Sequence, residues 1–126
     1  MKTSYINLIL KIVVAVILLQ TLVFKFSGSE ESIYIFTKLG AEPYGRIGSG
    51  IAELIISIFL FVDKTKLYAA LLAFATMLVA VISHLTILGI EVLNDGGTLF
   101  ILALIVLFSS GILIVQYKND FKLKLI

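Results

Sequence analysis

Four runs of apolar residues, each near the length needed to cross a bilayer, are separated by three polar breaks. The runs cover residues 6–24, 44–62, 67–88 and 97–117. A hydrocarbon core of ~30 Å requires ~20 consecutive, mainly apolar residues in a helix. None of the runs alternates with a period of two, which argues against a β-barrel. Helix is then the remaining way to satisfy a spanning backbone in lipid. The pattern predicts an all-α integral membrane protein, a four-transmembrane-helix bundle forming one domain over residues 1–126.

The longest break, 25–43, has structure of its own. In SEESIYIFTKLG, Ser29 suits an N-cap and Glu31 suits the first turn. Ile33, Phe36 and Leu39 recur at helical spacing, Gly40 suits the position after a helix, and Pro43 follows. This predicts a short amphipathic helix on the rim of the bundle, with capping preferred over substrate gating as its role. The other breaks are a tight turn at 63–66 and a short acidic loop at 89–96. In the first run, Lys2 and the apolar stretch after it fit the charged and hydrophobic regions of a signal peptide. The stretch is too long, Lys11 interrupts it, and FSGS is a poor cleavage site. A retained span is expected.

Composition supports lipid as the solvent. The chain is 60% hydrophobic and 14% charged over 126 residues, against ~45–50% apolar for a soluble domain. Its mean hydropathy is +1.14. A net charge of +2 without clustered basic residues argues against nucleic acid as a partner. The absence of cysteine excludes disulfides, thiol relays, iron–sulfur clusters and cysteine nucleophiles. The single histidine could complete a bis-histidine haem only with another chain. GRIGSG lacks both the preceding strand and the following lysine of a nucleotide loop. No metal site and no resident cofactor is evident.

The lysines set an orientation. Lys2, Lys64, Lys66, Lys118, Lys122 and Lys124 fall on one side of the predicted bundle. Lys25, Lys38 and Arg46 on the other side are diluted by Glu30, Glu31, Glu42, Glu91 and Asp95. The positive-inside rule then puts both termini in the cytoplasm, expected for a bacterial or archaeal cytoplasmic membrane.

Polar residues inside the spans carry the functional signal. Arg46, Gly50, Glu53 and Ser57 are spaced so that they share one face of the second helix. A polar face on an apolar helix turns toward the bundle interior. In the third run, Ala73, Met77, Ala80 and His84 share a face. Span parity puts Lys25, Arg46 and His84 at one end of the bundle, with Glu53 about 10 Å deeper at 1.5 Å per residue. The four residues are therefore candidates to line one cavity open to the outer face. A carboxylate at that depth costs at least ~2.5–3.5 kcal/mol, so Glu53 is expected to be protonated or paired with Arg46 or His84. Bland readings stand beside these. Lys25 and Arg46 can snorkel to headgroups, His84 can bridge helices, and Lys11 is best read as snorkelling.

The run LVFKFSGS, then FTKLG, then PYGRIGSGIAELIISIFLF, with His84 in the third helix and a fourth helix after GG, resembles the DoxX and DoxX-like family of small four-helix membrane proteins. The resemblance spans nearly the whole chain. Its most specific parts are Lys25-Phe26-x-Gly28 and Arg46 with Gly50 and Glu53. It implies similarity to the membrane subunit of an archaeal thiosulfate:quinone oxidoreductase, and to parts of membrane-associated redox complexes. More distant relatives look like assembly factors or cargo receptors. It marks Lys25, Arg46, Glu53 and His84 as candidate ligand-binding positions, with Glu53 and His84 as a candidate proton relay. The lack of cysteine argues against thiol-based chemistry here.

Two functional classes follow. One is the membrane subunit of a quinone-linked redox complex, with His84 bonding a quinone carbonyl, Glu53 relaying protons, Arg46 and Lys25 attracting an anionic substrate, and electrons from a larger partner. The other is a non-enzymatic accessory or assembly subunit that binds a lipid, a small molecule or a partner membrane protein, or forms a homo-oligomer. A transporter is less favoured, since no inverted repeat is detectable. The isolated chain is not expected to be an enzyme by itself.

Overall fold

A computed structural model describes the backbone of residues 2–125 and the side chains of residues 5–119. The described chain is all-helical. In order it forms α1 (Lys2–Ser27), α2 (Glu30–Lys38), α3 (Tyr44–Phe59), α4 (Lys66–Ser83) and α5 (Thr98–Leu125), with a π-helical turn at His84–Leu88 extending α4.

Three helical stretches are long and apolar enough to cross a membrane: Tyr5–Ser27, Lys66–Leu88 and Thr98–Asn119. The protein is an integral membrane protein on this count. The second apolar run behaves differently. Residues 44–62 predict a full span, but α3 has 16 residues, about 24 Å at 1.5 Å per residue. Polar groups set its end. The Thr65 hydroxyl donates to the Phe59 carbonyl at 3.0 Å and reaches the Val62 carbonyl at 3.3 Å, folding 60–65 into a tight turn.

The helices bury the faces that the pattern selects. From α3, Gly50, Glu53, Ile56 and Ser57 turn inward, which is the predicted stripe with Ile56 added and with Arg46 only half-buried. From α4, Met77 is buried together with Ala69, Ala70 and Ala73, three small residues that let a neighbouring helix approach closely. Val14 and Leu18 of α1 meet Val106 and Leu113 of α5 in the same core. The outward faces are apolar too: Val16, Val79, Phe108 and Val115 are exposed, as a lipid solvent allows.

The predicted rim helix is present as α2. The Ser29 hydroxyl accepts the Ser32 N–H at 3.3 Å. Gly40 ends the helix at φ +73°, with its N–H donating to the Thr37 carbonyl and that of Ala41 to the Phe36 carbonyl. The side chains of Lys2, Lys122 and Lys124, part of the predicted charge bias, lie outside the described residues.

Candidate functional site

The site begins where α1 stops. Gly28 adopts φ +67°, a conformation that disfavours residues with a Cβ. Its N–H donates to the Lys25 carbonyl at 3.3 Å, and the Ser29 N–H donates to the Phe24 carbonyl at 3.0 Å. This pair of bonds closes the helix end. It also releases the chain directly into the N-cap of α2, so the segment FKFSGS both ends one helix and starts the next.

That end docks antiparallel on α3 at three points. The Lys25 ammonium pairs with Oε1 of Glu53. The Phe26 ring lies against Gly50, where an added Cβ would sit 2.7 Å from a ring carbon. Arg46 Nη1 donates to the Lys25 carbonyl. The Glu53 carboxylate is 1% exposed, and its second oxygen accepts the Thr21 hydroxyl at 2.9 Å. Arg46 Nε meets both oxygens of Glu42 at 2.9 and 3.0 Å. Every charged group on this seam has a partner of the opposite charge, as a low-dielectric setting demands.

Above the seam is a cavity of about 210 Å³. Its walls are mainly apolar, drawn from α1, α2, α4 and the start of α5, with Ile17, Ile35, Met77 and Leu102 among them. Lys25, Glu53 and His84 line it, and Ser49, Thr76 and Ser83 add hydroxyls. The start of α2 covers it through Ser29, Glu31 and Ser32. An apolar cavity of ~150 Å³ accepts a benzene ring, so this one has room for a substituted six-membered ring.

His84 enters the cavity wall from the π-helical turn and is 5% exposed. Such turns inside α-helices occur often at functional sites. Its Nδ1 lies 2.9 Å from the Gly89 carbonyl. A carbonyl can only accept, so Nδ1 carries the proton. The Phe100 ring stacks edge-on against the imidazole, with centroids 5.6 Å apart. The loop that presents Gly89 is organised by Asp95. One Asp95 oxygen accepts the N–H groups of Val92 at 3.0 Å and Gly97 at 2.8 Å, and the other accepts that of Leu99 at 3.1 Å. Burial raises the Asp95 carboxyl, but those three N–H groups, joined by the charge of His84 when its ring is protonated, outweigh it, so its pKa falls below the ordinary 3.8.

The structure therefore brings Lys25, Glu53 and His84 to one cavity and leaves Arg46 outside the lining. The expected partners of Glu53 were Arg46 or His84, and this is corrected: the partners are Lys25 and Thr21. Arg46 is held instead by Glu42, one turn earlier on its own strand of chain, and by the end of α1. Thr21, Glu42 and Asp95 were not singled out as site residues. Each had a readable signal. Thr21 precedes Lys25 by one helical turn, Glu42 precedes Arg46 by one, and Asp95 stands at the start of a helix after a turn.

No curated protein and no solved structure matches the chain. A family model described as DoxX matches residues 6–86.

Proposed function

The chain belongs to the DoxX family, and from that premise we propose that it is the membrane subunit of a quinone-linked redox complex. In this reading α3 serves as a fourth, short membrane-crossing helix, both termini face the cytoplasm, and the cavity faces the opposite side. The observation that carries the reading is the cavity itself, apolar-walled, about 210 Å³, with Lys25, Glu53 and His84 on its lining. Ligand sites have this make-up, mostly apolar with a few placed polar groups. Lys25 faces one ring oxygen and His84 the other, while Glu53 supplies the carboxylate for proton exchange. Arg46, engaged by Glu42 and the Lys25 carbonyl, ties α1 to α3. Electrons come from a partner subunit.

Titration of the purified protein with decylubiquinone, read by thermal stability, tests this. Saturable stabilisation that disappears in Glu53→Gln is expected. An unchanged melting profile removes the reading.

One observation favours a second reading. The seam's charges pair with one another, Lys25 with Glu53 and Arg46 with Glu42, which is what a purely structural bundle also needs. An accessory or assembly subunit would then use the cavity to hold a lipid tail or a partner's segment. Affinity capture in mild detergent separates the two: a stoichiometric partner whose turnover is unaffected by deletion of this chain supports the accessory role.

A further inference from the structure

The hydrogen-bonding sense of the cavity wall distinguishes the two redox forms of a ring ligand, an inference that rests on the quinone reading above. A hydroxyl group has one proton to give. On this wall three of them are already committed to the helix backbone. Ser49 donates to the Arg46 carbonyl at 3.3 Å, Thr76 to the Leu72 carbonyl at 2.8 Å and Ser83 to the Val79 carbonyl at 2.8 Å. Each then offers the cavity lone pairs alone. The Thr21 proton is shared between the Leu18 carbonyl and Glu53, both at 2.9 Å.

His84 follows the same rule. Its Nδ1 proton is used on the Gly89 carbonyl at 2.9 Å. In the neutral imidazole Nε2 is left with a lone pair and no proton. The α4 wall, with Thr76, Ser83 and His84, is thus an accepting surface. Free donors are gathered on the other side. They are the remaining N–H bonds of Lys25 and the hydroxyl of Ser32, which is 7% exposed and lines the cavity.

A quinone presents carbonyl oxygens, acceptors only, at both ends of its ring. One end meets Lys25 well. The other end faces lone pairs, and a buried acceptor without a donor is costly. A hydroquinone presents hydroxyls. One can donate to Nε2 of His84 while the oxygen at the far end accepts from Lys25. We propose that the cavity binds the hydroquinone form in preference to the quinone, with His84 Nε2 as the accepting atom. Tighter binding of the reduced form makes the bound couple more oxidising, so the site draws electrons from its partner.

The test is an anaerobic titration of the protein in phosphatidylcholine nanodiscs. Three ligands on one ring scaffold are compared: decylubiquinone, its hydroquinone, and the dimethyl ether of that hydroquinone, which is bulkier at both oxygens and has no proton to give. The hydroquinone is expected to bind about fivefold more tightly than the quinone, the worth of one hydrogen bond between neutral groups. The ether is expected to bind no better than the quinone, and this arm needs no mutation. In His84→Phe the preference is expected to vanish. Equal binding of quinone and hydroquinone, or tighter binding of the quinone, overturns the inference and leaves the quinone reading standing. Failure of all three to bind removes both.

Discussion

The Lys25 ammonium and the Glu53 carboxylate form an ion pair between α1 and α3, with side-chain exposures of 16% and 1%. Both residues line the cavity, and the carboxylate has a second donor in Thr21. Its two members thus join the helices and line the site at once. Removing either one leaves the other without its counter-ion.

Glu53→Ala is expected to cost about 3 kcal/mol of stability, and Lys25→Met a similar amount, since each leaves an uncompensated buried charge. The double variant Lys25→Met with Glu53→Met is expected to recover to within about 1 kcal/mol of the parent, as apolar replacements of buried pairs often do. Reversible unfolding in mixed micelles gives the cycle. Additive losses in the double variant would show that the two groups are not coupled.

Gly50 and Gly48 offer a matched contrast on one helix. A Cβ on Gly50 would meet the Phe26 ring at 2.7 Å, whereas one on Gly48 meets nothing within 4 Å. Gly50→Ala is expected to destabilise by about 1–3 kcal/mol through overpacking, and Phe26→Ala in the same chain to relieve part of that. Gly48→Ala is expected to stabilise slightly, by about 0.5–1 kcal/mol, because glycine is costly inside a helix. Melting temperatures of the four proteins settle the order.

The seam was legible in the sequence to the level of faces and not to the level of partners. Helical periodicity placed Gly50, Glu53 and Ser57 on one inward stripe, and they are buried together. Depth counting brought Lys25, Arg46 and His84 to the same end of the bundle, but it resolves position only to about a helical turn. Choosing between Lys25 and Arg46 as the partner of Glu53 needed a finer fact, that Glu42 already holds Arg46. The start and stop of α2 were readable because Ser29 and Gly40 have strong local preferences. The length of α3 was not, because 60–62 are as apolar as the helix before them and the chain leaves the helix through contacts of Thr65. Nor does any residue type mark the π-helical turn that sets the His84 ring.

Arg46 is expected to behave as a fastener. Arg46→Lys keeps the charge but loses the planar fork that reaches Glu42 and the Lys25 carbonyl together. The substitution is expected to cost about 1–3 kcal/mol, the range for hydrogen bonds to charged groups. Its signature is local. Amide exchange at Gly28 and Ser29, whose N–H groups close the end of α1, is expected to rise more than exchange in α5. A uniform rise across all helices would instead mean a general loss of stability.

Asp95 gives the chain a defined acid response. Its carboxylate accepts three backbone N–H groups from the loop and the first turn of α5, and its pKa lies below 3.8 in the folded protein, the value expected for an unfolded chain. A depressed folded pKa means that the unfolded state takes up the proton more readily. The stabilisation is then fully present above pH 3.8 and is lost as pH falls through the lower, folded value. Asp95→Ala is expected to cost about 1 kcal/mol at neutral pH, the usual worth of a helix N-cap. The gap between parent and variant should be present above pH 3.8 and narrow below it as the parent's carboxylate is protonated. Because the same loop presents the Gly89 carbonyl to His84, the variant should also shift the imidazole ¹⁵N resonances, Nδ1 losing its fixed acceptor. A gap that does not change with pH would show that Asp95 acts through packing and not through its charge.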